Sequence, residues 1–319
     1  MTNFSITKQL DNTIKMPTEY FNEIIPPPMS VKIELTRRCN NRCSFCVNST
    51  LAVKGDMPRE KYSEYIRKIY DAGVRELGVF YFGESFIVPW LPEAIKEAKD
   101  VGFKYVFLTT NGSLATPDKV KKCLDAGLNS IKFSLNYADE EQFSEIARVN
   151  PKYWRKSLDN LKAVKAIRDE GNYECGIYAS YIQYNGAQGD KMQAVINEVK
   201  PYLDEVYALP LFDQAGFINR EGWEFTGGNP GRLDSMVPPV PCWALFREGH
   251  VNYDGTMNAC CFGVDDKRFI HGDLNKQTFM EAWNSVALSS LRKAHLEKKI
   301  EGTPCENCVK KVVNKGPSL

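Results

Sequence analysis

Three cysteines crowd one short stretch, ELTRRCNNRCSFCVNS, residues 34–49: Cys39, Cys43 and Cys46. Their spacing is CxxxCxxC. Three thiolates from one loop can hold three irons of a 4Fe–4S cube and leave the fourth iron open to a small molecule. Structural zinc asks for four protein ligands, usually with the cysteines in CxxC pairs, and the nearest histidine along the chain is His250. The competing reading is a set of packed core thiols, because cysteine is among the most buried residue types. The uneven clustering of the ten cysteines argues against it.

A second group lies near the end of the chain: Cys242, Cys260, Cys261, Cys305 and Cys308, with CxxC spacing between the last two. Cys242, Cys260, Cys305 and Cys308 make four thiolates, enough for one fully ligated 4Fe–4S cluster or for a structural zinc; ligand type alone does not separate the two. Cys261 follows a ligand in a strand pattern and points to the other face. Cys123 in a helix pattern and Cys175 in a strand pattern read as core thiols.

These residues must be held by the elements around them. The proline run IIPPPMS excludes helix and leads into the strand pattern VKIEL (31–35). Helix and strand patterns then alternate, with helices over 59–73, 91–102, 116–127, 139–149, 153–171 and 190–203. Strands fall over 74–82, 104–110, 130–136, 173–185 and 205–212. Thr116 and Pro117 supply an N-cap and first-turn proline. Six strand–helix repeats imply parallel strands with helices outside, and the loop after each strand on one functional face. Residues 213–241 are rich in Gly and Pro and read as a linker. The remainder starts with a hairpin turning at Asp254-Gly255, continues with a helix over 275–299 and ends in the CxxC loop.

The chain has 319 residues, a formal net charge of +1, 43% hydrophobic and 25% charged residues. That balance exerts no global pull on nucleic acid or an anionic membrane. The N-terminus lacks a signal peptide's apolar core, and no apolar run is long enough to span a bilayer. A soluble, cytoplasmic protein is expected, in which cysteines serve as metal ligands or buried thiols.

With Phe45 as the aromatic, the cysteine loop resembles the CxxxCxΦC signature of the radical S-adenosylmethionine (SAM) superfamily. The resemblance runs over residues 31–310. It implies a partial (β/α)6 TIM barrel in which the open iron chelates the amino and carboxylate groups of SAM. Reductive cleavage then yields a 5′-deoxyadenosyl radical that abstracts a hydrogen atom. An external reductant such as flavodoxin or ferredoxin is also implied. YFGES resembles the family's GGE-type motif for the SAM amino group: Gly83 and Glu84 match, and Phe82 replaces the first glycine. TTNG, with Asn111, is similar to the third-strand ending near SAM, and SIKFSLN places Ser134 near the ribose. Arg148 matches a basic residue that pairs with the SAM carboxylate. On residue types alone TTNG reads equally as a turn; for Glu84 a solvated loop carboxylate, and for Arg148 an exposed helix arginine, are the weaker competing readings.

The C-terminal set resembles the auxiliary-cluster domains of this superfamily, SPASM and its shorter relative twitch. The implied organisation is an N-terminal extension (1–30), a barrel (31–212), a linker (213–241) and a twitch-type module (242–319) with one auxiliary 4Fe–4S cluster. A fully ligated cluster suits electron transfer, so the expected reaction is net oxidation of a small polar metabolite. The alternative is radical crosslinking, epimerisation, oxidation or rearrangement of a peptide, protein or nucleotide. Most peptide-modifying relatives carry a leader-binding domain longer than the segment 1–30, which lowers that alternative. Tyr181, Gln183, Tyr184, Asp213 and Gln214 are candidate substrate contacts, with packing or solvated loop roles as the competing reading. No residue stands out as a general base.

Overall fold

The alternating periodicities become alternating elements. The computed structural model, which describes residues 5–51, 53–209, 240–261 and 267–306, begins with α1 (Ile6–Ile14), β1 (Ser30–Ile33), α2 (Arg59–Asp71), β2 (Glu76–Gly78) and α3 (Leu91–Val101). It continues with β3 (Tyr105–Thr110), α4 (Pro117–Asp125), β4 (Ser130–Leu135), α5 (Glu140–Ala147), α6 (Lys152–Glu170), β5 (Gly176–Ile182), α7 (Gly186–Val199) and β6 (Glu205–Leu209). The C-terminal part holds α8 (Ala244–Arg247), β7 (Glu248–Val251), β8 (Thr256–Asn258), β9 (Ile270–Asp273), α9 (Phe279–Trp283) and α10 (Val286–Leu296).

The first six strands lie side by side in chain order, every pair parallel, which is the expected partial barrel. On its helix side the sheet presents fully buried apolar residues, among them Val31, Ile33, Leu77, Val106, Ile131 and Ile177. α2 turns Tyr62, Tyr65, Ile66 and Ile69 toward this layer at helical spacing. The other face lines the lumen and is more polar, with Lys32, Lys132 and His250 at inward register positions.

The second module is joined through the sheet itself. β7 pairs parallel with β1, and β8 and β9 follow antiparallel, so one sheet runs through all nine strands. The hairpin turn lies where expected: Gly255 adopts φ +87°, where a side chain is strained.

Several elements differ from the sequence reading. α1, read as polar extension, is a helix capped by Ser5, whose side chain accepts from Lys8 N. It closes the lower end of the barrel, with Gln9 donating to Glu76 and Thr7 bound to Glu205. β2 is shorter than predicted. The single helix over 275–299 is two: Thr278 and Glu281 form a capping box on α9, and Ser285 caps α10 through Leu288 N. β9 was not anticipated. The proline run docks on this second module, where Trp283 Nε1 donates to Pro26 O (2.9 Å). Of the predicted linker, residues 213–239 lie outside the described residues. Among the described residues no helix is long and apolar enough to cross a membrane.

Candidate active site

The three-cysteine loop leaves β1 at its C-terminal end and is braced from several sides. Its basic residues are held by carboxylates: Arg37 pairs with the buried Glu34 (2.7 Å) and Arg38 with Asp56 (2.6 Å). Asn48 donates to Arg37 O (3.0 Å) and to Phe82 O (2.6 Å), tying the loop to the segment after β2. Arg42 N and Ser44 N donate to the carbonyls of Ala147 and Ile146 (2.8 Å each), so the end of α5 is docked on the loop. Phe45 is buried beneath it.

Gly83 marks a close crossing of two backbones. A Cβ there would stand 2.0 Å from Thr36 O and 2.7 Å from Arg38 O. The next residue's amide, Glu84 N, donates to Arg38 O (2.9 Å). Only glycine lets the chain pass under the cysteine loop at this distance.

Glu84 is 3% exposed, not a solvated carboxylate. Thr110 Oγ1 and Phe86 N donate to its Oε1 (2.9 and 3.1 Å), and Asn111 N donates to its Oε2 (2.8 Å). Burial raises its pKa, and these three donors pull it back in part. A carboxylate has about four lone-pair sites, so Oε2 keeps capacity for one more donor. Asn111 also reaches the loop: its Nδ2 donates to Asn40 Oδ1 (2.9 Å) and lies 4.0 Å from Cys39 Sγ. Gly83, Glu84, Asn111 and the cysteine loop are therefore one cluster.

Ser134 is half-buried at an inward position of β4, in register with Ser180 of β5. Arg148 departs from its expected place within a helix. α5 ends at Ala147, and Arg148 caps it in the left-handed region (φ 54°) with its side chain exposed, beside the point where α5 meets the cysteine loop. The missed residue is Tyr137. Its hydroxyl lies 2.9 Å from Cys43 Sγ, and its only sequence signal is that it follows the fourth strand. Tyr184 is buried and donates to Asn136 O (2.7 Å), while Tyr181 is half-buried and Gln183 exposed. Asp213 and Gln214 lie outside the described residues.

The donor set fits an iron–sulfur cluster. Burial raises the pKa of all three loop thiols, Cys39 to about 12, and the mutual repulsion of their anions adds to the rise at Cys43. No cationic residue compensates them fully, whereas a bound cation takes such thiols as thiolates. Among the described residues, no three His, Cys, Asp or Glu side chains close on a single metal ion, so the loop is not a ready-made mononuclear site.

In the second set, Cys242 N donates to the ring of buried His295 (3.2 Å), and Cys305 is buried. The Tyr81 hydroxyl donates to Cys260 O (2.9 Å). Cys261, expected on the other face of the strand, interacts first with Cys260 itself and then with His250 and Lys32. Cys123 and Cys175 are core thiols, as read. Cys308 lies outside the described residues.

Residues 33–173 match the radical SAM superfamily, and residues 242–309 match the SPASM iron–sulfur cluster-binding domain. The chain belongs to the radical SAM superfamily and carries a SPASM-type domain at its C-terminal end. The two domains imply SAM and 4Fe–4S clusters as cofactors. An S-adenosylmethionine-dependent nucleotide dehydratase of Lacinutrix mariniflava is 38% identical over 178 residues, 54% of this chain and 36% of the relative. A GTP 3′,8-cyclase of Chlorobaculum tepidum is 32% identical over 146 residues, 43% of this chain and 42% of the relative. The chain thus covers less than half the length of these curated relatives. Among solved structures, BtrN in complex with AdoMet and 2-DOIA superposes with TM-score 0.57 at 17% identity, over 88% of this chain and 92% of that one. Streptococcus suis SuiB bound to S-adenosylmethionine superposes with TM-score 0.63 at 14% identity, over 85% and 69%. At these identities the likeness concerns the fold.

Proposed function

We propose that this radical SAM enzyme removes a hydrogen atom from a small polar metabolite held in the barrel mouth and completes a net oxidation by passing an electron to an auxiliary cluster. The observation that carries this reading is the junction of the two cysteine-bearing segments. β1 delivers the Cys39/Cys43/Cys46 loop and is hydrogen-bonded along its length to β7 of the second module. Tyr81, just past β2, holds the backbone of Cys260. The Cys39/Cys43/Cys46 loop and Cys260 are therefore tied to neighbouring barrel strands, an arrangement suited to moving one electron from the lumen to the second set.

In this proposal Cys39, Cys43 and Cys46 hold the SAM-binding cluster, and Cys242, Cys260, Cys305 and Cys308 hold the auxiliary one, with the barrel over 31–212 and the second module over 242–319. When bound, the first cluster and SAM supply the hydrogen-abstracting radical. The chain's own residues position it. Glu84 offers its remaining Oε2 acceptor site to the SAM ammonium. Arg148 offers a guanidinium to its carboxylate, and Asn111 and Ser134 line the same strand ends. Phe45 packs under the loop, and Gly83 lets the loop lie close to Glu84.

A second reading is a redox-neutral conversion of a nucleotide. It is favoured by the names of the two curated relatives, a nucleotide dehydratase and a GTP cyclase, which match about half of this chain. Product analysis separates the readings. Net oxidation gives a product two hydrogens lighter than the substrate, with one hydrogen recovered in 5′-deoxyadenosine. A product that has lost water, or is isomeric with the substrate, would replace the first reading with the second.

A further inference from the structure

Two lysines project from inward positions of the barrel wall, Lys32 on β1 and Lys132 on β4. Lys32 is compensated. Its Nζ lies 2.9 Å from Glu248 Oε2, and His250 Nε2 approaches the same oxygen at 3.5 Å. The next inward carboxylate on β1's path, Glu34, is taken by Arg37. Lys132 has no such partner. Among the described residues no carboxylate lies within ion-pair distance of it, and its one close polar-surface contact is the ring of Tyr207, 5.9 Å from Nζ to centroid.

Lys132 is half-buried, and an ammonium partly withdrawn from water beside a second ammonium, without an anion, costs free energy. A chain that nonetheless places a lysine there gives it a use only when something anionic enters the lumen. We infer that Lys132 receives an oxyanion of the substrate, a phosphate or carboxylate group, so that the substrate is an anionic metabolite. Desolvation and the neighbouring charge of Lys32 hold the Lys132 pKa down at about 8 against the opposing pull of the more distant Glu248, so an incoming oxyanion would also secure its proton. Lys132 precedes Ser134 by two residues on the same face of β4, roughly 7 Å along the strand. An oxyanion held there leaves the rest of a small substrate directed at the strand ends, where hydrogen abstraction is proposed. The inference rests on that reading of the barrel mouth as the substrate site, and it names the substrate's class.

The test is calorimetric titration of the cluster-loaded protein with inorganic phosphate, pyrophosphate and acetate, in the parent and in the Lys132→Met and Lys132→Arg variants. The parent should bind at least one of the three. Lys132→Met should weaken that binding about tenfold or more, and Lys132→Arg should keep it within a few-fold. Without anion, Lys132→Met should melt above the parent, since it removes a half-buried charge with no carboxylate at ion-pair distance among the described residues. Phosphate or pyrophosphate binding alone would indicate a phosphorylated substrate, and acetate binding alone a carboxylate. No binding to the parent, or equal binding to parent and Lys132→Met, would overturn the inference. SAM cleavage by the parent is measured separately: its absence would sink the radical SAM reading while the titration still decided the role of Lys132.

Discussion

Gly83 lies so close to Thr36 that a Cβ added to it would stand 2.0 Å from the Thr36 carbonyl oxygen. The contact fixes the height of the cysteine loop above Glu84. Backbone blocks backbone here, so no side-chain rotation relieves it. Gly83→Ala should displace the loop and lose about four of about eight irons per chain after anaerobic reconstitution, with helix content unchanged by circular dichroism. Full iron content in that variant would show that the crossing does not govern the first site.

Tyr137 offers its hydroxyl to Cys43 Sγ at 2.9 Å. A hydrogen bond to a cluster thiolate stabilises the more negatively charged, reduced state more than the oxidised one, and so raises the potential. Tyr137→Phe keeps the ring against Phe143 and Trp154 and removes only that donor. The potential of the SAM-binding cluster should fall by on the order of tens of millivolts in an anaerobic spectroelectrochemical titration. An unchanged potential would mean that the hydroxyl bonds elsewhere once the cluster is in place.

Much of this arrangement is legible in the sequence, for identifiable reasons. The strand–helix alternation carries the barrel because burial on the helix side enforces apolar residues at Val31, Ile33, Leu77 and Val106. The CxxxCxxC spacing points to the first site, because ligands from a single loop must be close in sequence, whereas only the terminal CxxC of the second set is local. α1 stays hidden because its attachment runs through Thr7 and Gln9 to carboxylates on distant strands, which no local periodicity reveals. β9 is short and lies at a sheet edge, and Tyr137 meets Cys43 across 94 positions of chain. Lys132 looks like an ordinary alternating strand residue until the parallel sheet sets it on the same inward face as Lys32.

Trp283 is the anchor of the second module. It is buried, stacks near Phe279 (6.3 Å between centroids) and carries the Arg292 guanidinium 4.3 Å from its ring. Trp283→Ala should lower unfolding free energy by about 3–5 kcal/mol in a denaturant titration. Its lost bond to Pro26 O should also free the proline run, seen as faster amide exchange at Ile25, whose N–H donates to Asn284. A loss below about 1 kcal/mol would show that this packing is peripheral.

His271 gives the fold an acid limit. Burial depresses its pKa to about 4, although its Nδ1 meets Ala282 O at 2.9 Å. A depressed value means that the unfolded chain binds the proton more readily. The stability due to neutral His271 is thus complete above about pH 6.5 and is lost as pH falls through the window from 6.5 to about 4. Over that window His271→Gln should show a shallower loss of unfolding free energy than the parent, by on the order of 2–3 kcal/mol. Parallel pH profiles for the two proteins would assign the acid sensitivity to other groups.

The two-cluster claim rests most directly on iron and sulfide content. The parent and a Cys39/Cys43/Cys46→Ala variant are reconstituted anaerobically, and 5′-deoxyadenosine formation from SAM is assayed in both. About eight irons in the parent, about four in the variant, and 5′-deoxyadenosine from the parent alone are the expected results. About four irons in the parent and none in the variant would contradict the auxiliary cluster, and the electron-transfer argument for a net oxidation would fall with it.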